Sequence, residues 1–171
     1  MQKVVITGHD LTVDQIIAVC REGAEVVLSD ESREKILASR QVVNELVEER
    51  KVVYGITTGF GKFSDVVISQ DECKLLQKNL IITHAVGAGD PFKEDIARGI
   101  LLLRVNSLSN GFSGICLETV ETMIAMLNKG VTPFIPEKGS LGASGDLAPL
   151  SHMVLPMIGL GMAWYKGELL T

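Results

Sequence analysis

Ala143-Ser144-Gly145 is a run of three small residues that can react with itself. Folded tightly, it brings the Gly145 amide nitrogen to the Ala143 carbonyl carbon, and glycine, lacking Cβ, gives that nitrogen its freest approach. Ring closure releases one water, and departure of the Ser144 hydroxyl releases a second. The product is a 4-methylidene-imidazol-5-one with an exposed electrophilic carbon, made without an imported metal or nucleotide. A helix starting just after it sets its positive amino-terminal end beside the ring and stabilises charge pushed into it. Taken alone, Ala-Ser-Gly is also a flexible turn, found by chance in on the order of a few per cent of chains of average composition.

Other groups able to do chemistry are few. Val52 to Lys62 reads Val-Val-Tyr-Gly-Ile-Thr-Thr-Gly-Phe-Gly-Lys, and three glycines in seven residues rule out a regular helix. This loop carries one phenol, Tyr54. With an ordinary pKa near 10, a phenol acts as a base at neutral pH only with a lowered pKa or an immediate proton hand-off. The alternative is a tyrosine packed in a turn. Thr83-His84 falls near a helix end, where a neutral imidazole either recognises a ligand or serves the fold. Asp146 is an organiser of the small-residue loop, a helix N-cap, or both. His152, two turns beyond Ser144, is expected to pack within a central helix, and His9 to occupy a surface turn. There is no GxSxG, GxxxxGK[ST] or HExxH pattern, and Gly139-x-x-Gly142-x-x-Gly145 is not a dinucleotide fingerprint. No metal site is expected.

The elements that must position these groups follow from periodicity. Lys3 to Ile6 and Val26 to Leu28 are short β-branched runs. Between them Thr12-x-x-Gln15 is a capping box opening a helix whose predicted inner face is Val13, Ile16, Ile17 and Cys20. A second helix follows Ser29-Asp30, with Ile36, Val43, Leu46 and Val47 inward and a charged outer side to Glu49. Ser69-Gln70-Asp71-Glu72 caps a third, running towards Val86 before Gly87, Gly89 and Pro91 stop it. An apolar helix spans about Lys93 to Ser109. Ser113 introduces another, with the stripe Val120, Met123, Ile124 and Leu127 and a stop at Gly130; Met123 and Met126 are assigned to core packing. Pro133, Pro136 and Gly139 hold the chain irregular up to the tripeptide. Leu147 to Tyr165 contains no charged residue other than a protonatable His152; Pro149, Ser151, His152 and Pro156 make it a buried central helix rather than a membrane span. Ala163 to Leu170 folds as a hairpin around Lys166-Gly167. The predicted class is mainly α: a small α+β amino-terminal region followed by the start of a long helical bundle.

Composition narrows the function. A 46% apolar content and mean hydropathy of +0.28 over 171 residues predict a sizeable core. The net charge of −5 and the scattered Lys and Arg argue against nucleic acid as a partner. Cys20, Cys73 and Cys116 lie far apart with no CxxC, which fits reduced thiols in a cytoplasm. The start of the chain lacks the length of apolar run and the small-residue site of a signal peptide.

The run from Gly139 through Gly142-Ala143-Ser144-Gly145-Asp146 to Met153 closely resembles the cofactor segment of the aromatic amino-acid ammonia-lyase and aminomutase family. Tyr54 to Gly61 and Asn106 to Gly114 also resemble that family, in the same order, so the resemblance runs from near residue 1 to residue 171. It implies that Ala143, Ser144 and Gly145 form the methylidene-imidazolone and that Asp146 supports its formation. It further implies that Tyr54 does acid/base work and that Thr83 and His84 select the substrate. Members acting on histidine tend to carry Ser-His or similar at that pair, those acting on tyrosine His-Leu, and those acting on phenylalanine Phe-Leu. Thr83-His84 therefore implies L-histidine, eliminated to trans-urocanate. A tyrosine or phenylalanine lyase, or an aminomutase, is the alternative; a non-catalytic helical domain with an uncyclised loop is the second. The chain departs from the pattern at Thr57, where many relatives carry asparagine, so that side-chain amide is missing.

Family members are several hundred residues longer and build their active sites from different subunits of a homotetramer. The resemblance implies that this is an amino-terminal portion, with residues 1–110 carrying the Tyr54 loop and the selectivity helix and 111–171 beginning the bundle. The arginine for the substrate carboxylate, and further Asn, Gln, Tyr and Glu groups, are expected beyond Thr171. The 171 residues alone are expected to be inactive and to self-associate through exposed apolar helix surface.

Overall fold

A computed structural model describes residues 2–59 and 70–171, without the side chains of residues 70, 71, 73 and 74. Phe60, Gly61 and Lys62 of the glycine-rich loop, and the capping box at Ser69, lie outside the described residues. The fold is mainly α with short strands, as the periodicity predicts.

Strand β1 (Lys3–Ile6) and strand β2 (Glu25–Leu28) pair in parallel, Lys3 opposite Glu25 and Ile6 opposite Leu28. Helix α1 (Val13–Arg21) makes the crossover, and its Thr12–Gln15 capping box forms. Period-two alternation buries Val4, Ile6, Val26 and Leu28. The free edge of β2 is closed by a side chain: Asn128 accepts from the Val26 N–H at 2.8 Å and donates to the Val26 carbonyl at 2.9 Å. The predicted inner face of α1 needs correction. Val13 is 70% exposed and Ile17 lies at the surface, whereas Ala18 and Val19 are buried, with Ile16 and Cys20 half-buried. A nine-residue apolar helix leaves either edge of its stripe free to turn inward, and the side from which its partner helix approaches decides.

Helix α2 (Asp30–Glu48) starts at Ser29, whose hydroxyl accepts from the Ser32 N–H at 3.1 Å. Ile36 is fully buried; Val43, Leu46 and Val47 are only half-covered. Helix α3 (Gln70–His84) leads into β3 (Ala88–Pro91), and α4 (Glu94–Leu108) follows. Helix α5 (Leu117–Lys129) begins at Cys116 rather than Ser113, because Gly114 at φ +63° interrupts helical backbone; Gly130 ends it in the left-handed conformation. Leu101, Leu102 and Val105 of α4 and Val120, Met123 and Leu127 of α5 share one core with β1, β2 and Ile36, and Met126 is buried beside them. α1 packs on α4 from the other side.

The proline-bearing stretch predicted as irregular forms two strands, β4 (Val131–Pro133) and β5 (Pro136–Lys138), with each proline at a strand end, where a missing N–H costs little. β5 pairs antiparallel with β3. The single buried helix expected over residues 147–165 is not formed. Helix α6 (Leu147–Val154) has eight residues and passes into a 3-10 turn at Leu155–Ile158. Pro156 cannot continue the amide ladder, and Gly159 and Gly161, at φ +73° and +68°, turn the chain away. No helix among the described residues is long and apolar enough to cross a membrane. The hairpin of β6 (Ala163–Tyr165) and β7 (Glu168–Leu170) turns at Lys166-Gly167 as predicted, both at positive φ, and β6 also pairs with β4.

The half-covered side of α2, with Ile56, Ile81 of α3, Arg104 of α4 and the inner side of α6, lines an open groove of about 980 Å³. Its wall is mostly apolar.

Candidate active site

The Ala143-Ser144-Gly145 loop is drawn tight around one carbonyl. Leu141 O accepts from Ser144 N at 2.9 Å, from Asp146 N at 3.3 Å and from Ser144 Oγ at 2.9 Å. Gly142–Ser144 is a single 3-10 turn, closed by Gly145 N donating to Gly142 O at 3.0 Å. Gly145 and Asp146 then both adopt the left-handed conformation, at φ +86° and +56°. Left-handed backbone is open to glycine, and aspartate tolerates it better than most residues. The tripeptide is exposed, and nothing lies within 4 Å of where a Cβ on Gly145 would sit.

Asp146 occupies the N-cap position of α6 but its side chain makes no capping bond. Its Oδ1 instead accepts a hydrogen bond from the Ser140 hydroxyl, which ties the two ends of the loop together. Ser140 was not singled out from the sequence; a six-residue separation matches no helical or strand period, so only the loop's closure could bring the pair together.

Thr83 and His84 end α3. His84 Nδ1 lies 2.7 Å from Leu80 O, which can only accept, so Nδ1 carries a proton, and in the neutral imidazole Nε2 is the acceptor. Thr83 Oγ1 donates to the same carbonyl at 3.1 Å. The chain past them meets the tripeptide's flanks at close range. A Cβ on Gly139 would come within 3.0 Å of the Gly87 Cα, and a Cβ on Gly87 within 3.1 Å of both His152 Nε2 and Pro136. Gly87 N–H donates to His152 Nε2 at 3.0 Å. His152, expected only to pack, is thus a polar link between α6 and the end of α3, and burial pushes its pKa below the ordinary value.

Tyr54 lies in a turn and is 62% exposed. Thr57 holds that turn: its hydroxyl accepts from Val53 N at 2.9 Å and donates to Lys51 O, with Thr57 N on Val53 O at 3.0 Å. Gly55 takes φ +74°. Gly55 and Ile56 line the groove opposite Leu147 and Leu150, so the tyrosine's turn and the helix that follows the tripeptide are walls of one cleft. Of the Asn106–Gly114 segment, Asn106 and Asn110 donate to Gly8 O at 3.4 and 3.1 Å, which makes their visible role structural, while Phe112 is 91% exposed. His9 is exposed in its turn. Among the described residues, no three His, Cys, Asp or Glu side chains gather as a metal site would require.

Comparison with known proteins gives a consistent picture. The family model described as aromatic amino acid lyase matches residues 11–171. Histidine ammonia-lyase from Caldanaerobacter subterraneus subsp. tengcongensis is 61% identical over 168 residues, covering 98% of this chain and 33% of the relative. The crystal structure of histidine ammonia-lyase from Trypanosoma cruzi superposes with a TM-score of 0.91 at 41% identity, over 99% of this chain and 33% of that one. Ergothionase from Treponema denticola, an ergothioneine-degrading enzyme, superposes at 0.94 with 31% identity, over 99% of this chain and 34% of its own. The chain thus spans about a third of the length of these proteins.

Proposed function

The chain belongs to the aromatic amino acid lyase family, and from that premise we propose that it is the amino-terminal third of a histidine ammonia-lyase, which converts L-histidine to trans-urocanate and ammonia. The observation that carries this reading is the contact of Gly87 with Gly139 and His152, which sets the Thr83-His84 end of α3 against the segment flanking Ala143-Ser144-Gly145.

The residues present fit ring formation. Gly145 N attacks the Ala143 carbonyl carbon, that oxygen leaves as water, and the Ser144 hydroxyl leaves with the Ser144 α-proton as a second water. Small side chains crowd the turn least, space is open beside Gly145, and the donors gathered on Leu141 O hold the turn tight. Asp146, held by Ser140, is the carboxylate that organises the loop. Once formed, the methylidene-imidazolone supplies an electrophilic carbon that makes a poor leaving group depart.

The chain's own side chains do the rest of the work available to it. His84 Nε2, left as an acceptor by the Nδ1–Leu80 bond, receives the imidazole N–H of L-histidine, a contact that a leucine cannot make. Tyr54, exposed on its braced turn, does acid/base work. The groups that hold the substrate carboxylate come from further chain, and the apolar groove between α2 and α6 is suited to pack against it. The complete enzyme is a cytoplasmic homotetramer in this reading.

Intact mass of the full-length protein tests the ring, since cyclisation removes two waters, roughly 36 Da. Urocanate absorbance with L-histidine, against product formation from L-tyrosine, tests the substrate. An unchanged mass, or a preference for L-tyrosine, overturns the assignment.

A further inference from the structure

We propose that His152 is a positioning residue for substrate selection: its imidazole holds the Gly87 backbone, and through it the Thr83-His84 end of α3, against the chain entering Ala143-Ser144-Gly145. The inference rests on the proposed role of Thr83 and His84 and names the group that keeps them in place.

Helix α3 packs on α6, but no side-chain hydrogen bond among the described residues ties Thr83 or His84 to it. Among the described residues their side chains hydrogen-bond only to each other and to Leu80, one turn back in the same helix. Nearby Leu75 and Ile82 of α3 are exposed. The helix ends with Ala85 N bonded to Ile81 O and Ile82 O, and Val86 N to His84 O. Gly87 N is the next donor, and it leaves the helix for a side chain 65 residues away. An amide N–H can be held only by an acceptor, so His152 must keep its Nε2 lone pair and carry its proton on Nδ1. Packing reinforces the bond: a methyl on Gly87 would lie 3.1 Å from His152 Nε2 and Pro136, tighter than ordinary contact, and a Cβ on Gly139 would lie 3.0 Å from Gly87 Cα. His152 lies on α6, in the second turn after the tripeptide, so its imidazole relates the selecting residues to the reacting loop through the Gly87 backbone, three residues past His84.

The test uses the full-length lyase carrying this sequence. His152→Phe keeps the ring's bulk but removes the acceptor; His152→Gln restores an acceptor at similar reach; Gly87→Ala pushes on the same contact from the other side. His152→Phe and Gly87→Ala are expected to raise KM for L-histidine by about three- to tenfold, the effect of one neutral hydrogen bond, with kcat within about twofold of wild type. Faster deuterium uptake in peptides covering residues 80–88 should accompany this. His152→Gln should restore both. A wild-type KM in His152→Phe, a kcat-only loss, or no rescue by His152→Gln overturns the proposal. If the wild-type protein does not turn over L-histidine, the functional assignment fails. The deuterium uptake of residues 80–88 then decides this inference alone: unchanged uptake in both His152→Phe and Gly87→Ala refutes it.

Discussion

Gly114→Ala separates two costs that the fold imposes at one position. Gly114 sits at φ +63°, where an L-residue with a Cβ pays about 1–2 kcal/mol. The new methyl would also lie 2.3 Å from Val43 Cγ2 of α2, far inside contact distance, and relieving such an overlap costs about 1–3 kcal/mol. Together the loss is about 2–5 kcal/mol, a large part of the roughly 5–15 kcal/mol that holds a domain folded. With a urea slope of about 2 kcal/mol per molar, the unfolding midpoint should fall by about 1–2.5 M. Urea denaturation of the chain, followed by far-ultraviolet circular dichroism and by fluorescence of Trp164, measures it. Val43→Ala removes the clashing methyl but leaves the backbone cost. The double variant should therefore recover at least about 1 kcal/mol relative to the sum of the single losses. A midpoint shift below about 0.3 M in Gly114→Ala, or strict additivity with Val43→Ala, refutes the account of this loop as pressed onto α2.

Three further outcomes are expected. Asp146→Ala should leave full-length protein uncyclised, roughly 36 Da heavier than the same variant would be with its ring closed, while Ser140→Ala gives a mixture; full cyclisation in Asp146→Ala removes the carboxylate from ring formation. Asn128→Leu strands the Val26 N–H and carbonyl at the β2 edge and should cost about 1–3 kcal/mol in the same urea assay, with no change meaning that water replaces the side chain. The folded-state pKa of His152 lies below its ordinary value near 6.5 because burial disfavours the imidazolium. The stabilisation tied to its neutral form is therefore complete above about pH 6.5 and lost as pH falls through the lowered folded value. His152→Gln should lack that increment when urea midpoints are compared from pH 8 downward, and an identical pH profile in the variant contradicts it.

Much of this was readable in the residues because the information is local. The Thr12–Gln15 box, the Ser29 cap, the stop at Gly130 and the Lys166-Gly167 turn depend on neighbours within a few positions, and all formed as predicted. The reactive capacity of Ala143-Ser144-Gly145 is likewise written into three consecutive residues. Where the sequence misled, the deciding partner was distant or the local signal ambiguous. The Leu147–Tyr165 stretch is apolar enough for one helix, but Pro156, Gly159 and Gly161 outweighed that composition. The arc of α1 that turned inward depended on α4, some eighty residues on.

The candidate site divides in the same way. Which groups can react, donate or accept was determined by residue type: the Ser144 hydroxyl, the Gly145 nitrogen, the Tyr54 phenol and the His84 imidazole. Which of them meet was decided only by tertiary structure. Asp146 faces Ser140 rather than its own helix, and Gly87 reaches His152 and Gly139. Hydrogen bonds and steric contact act over a few ångströms in space, and only the folded backbone brings residues 87, 139 and 152 within that range.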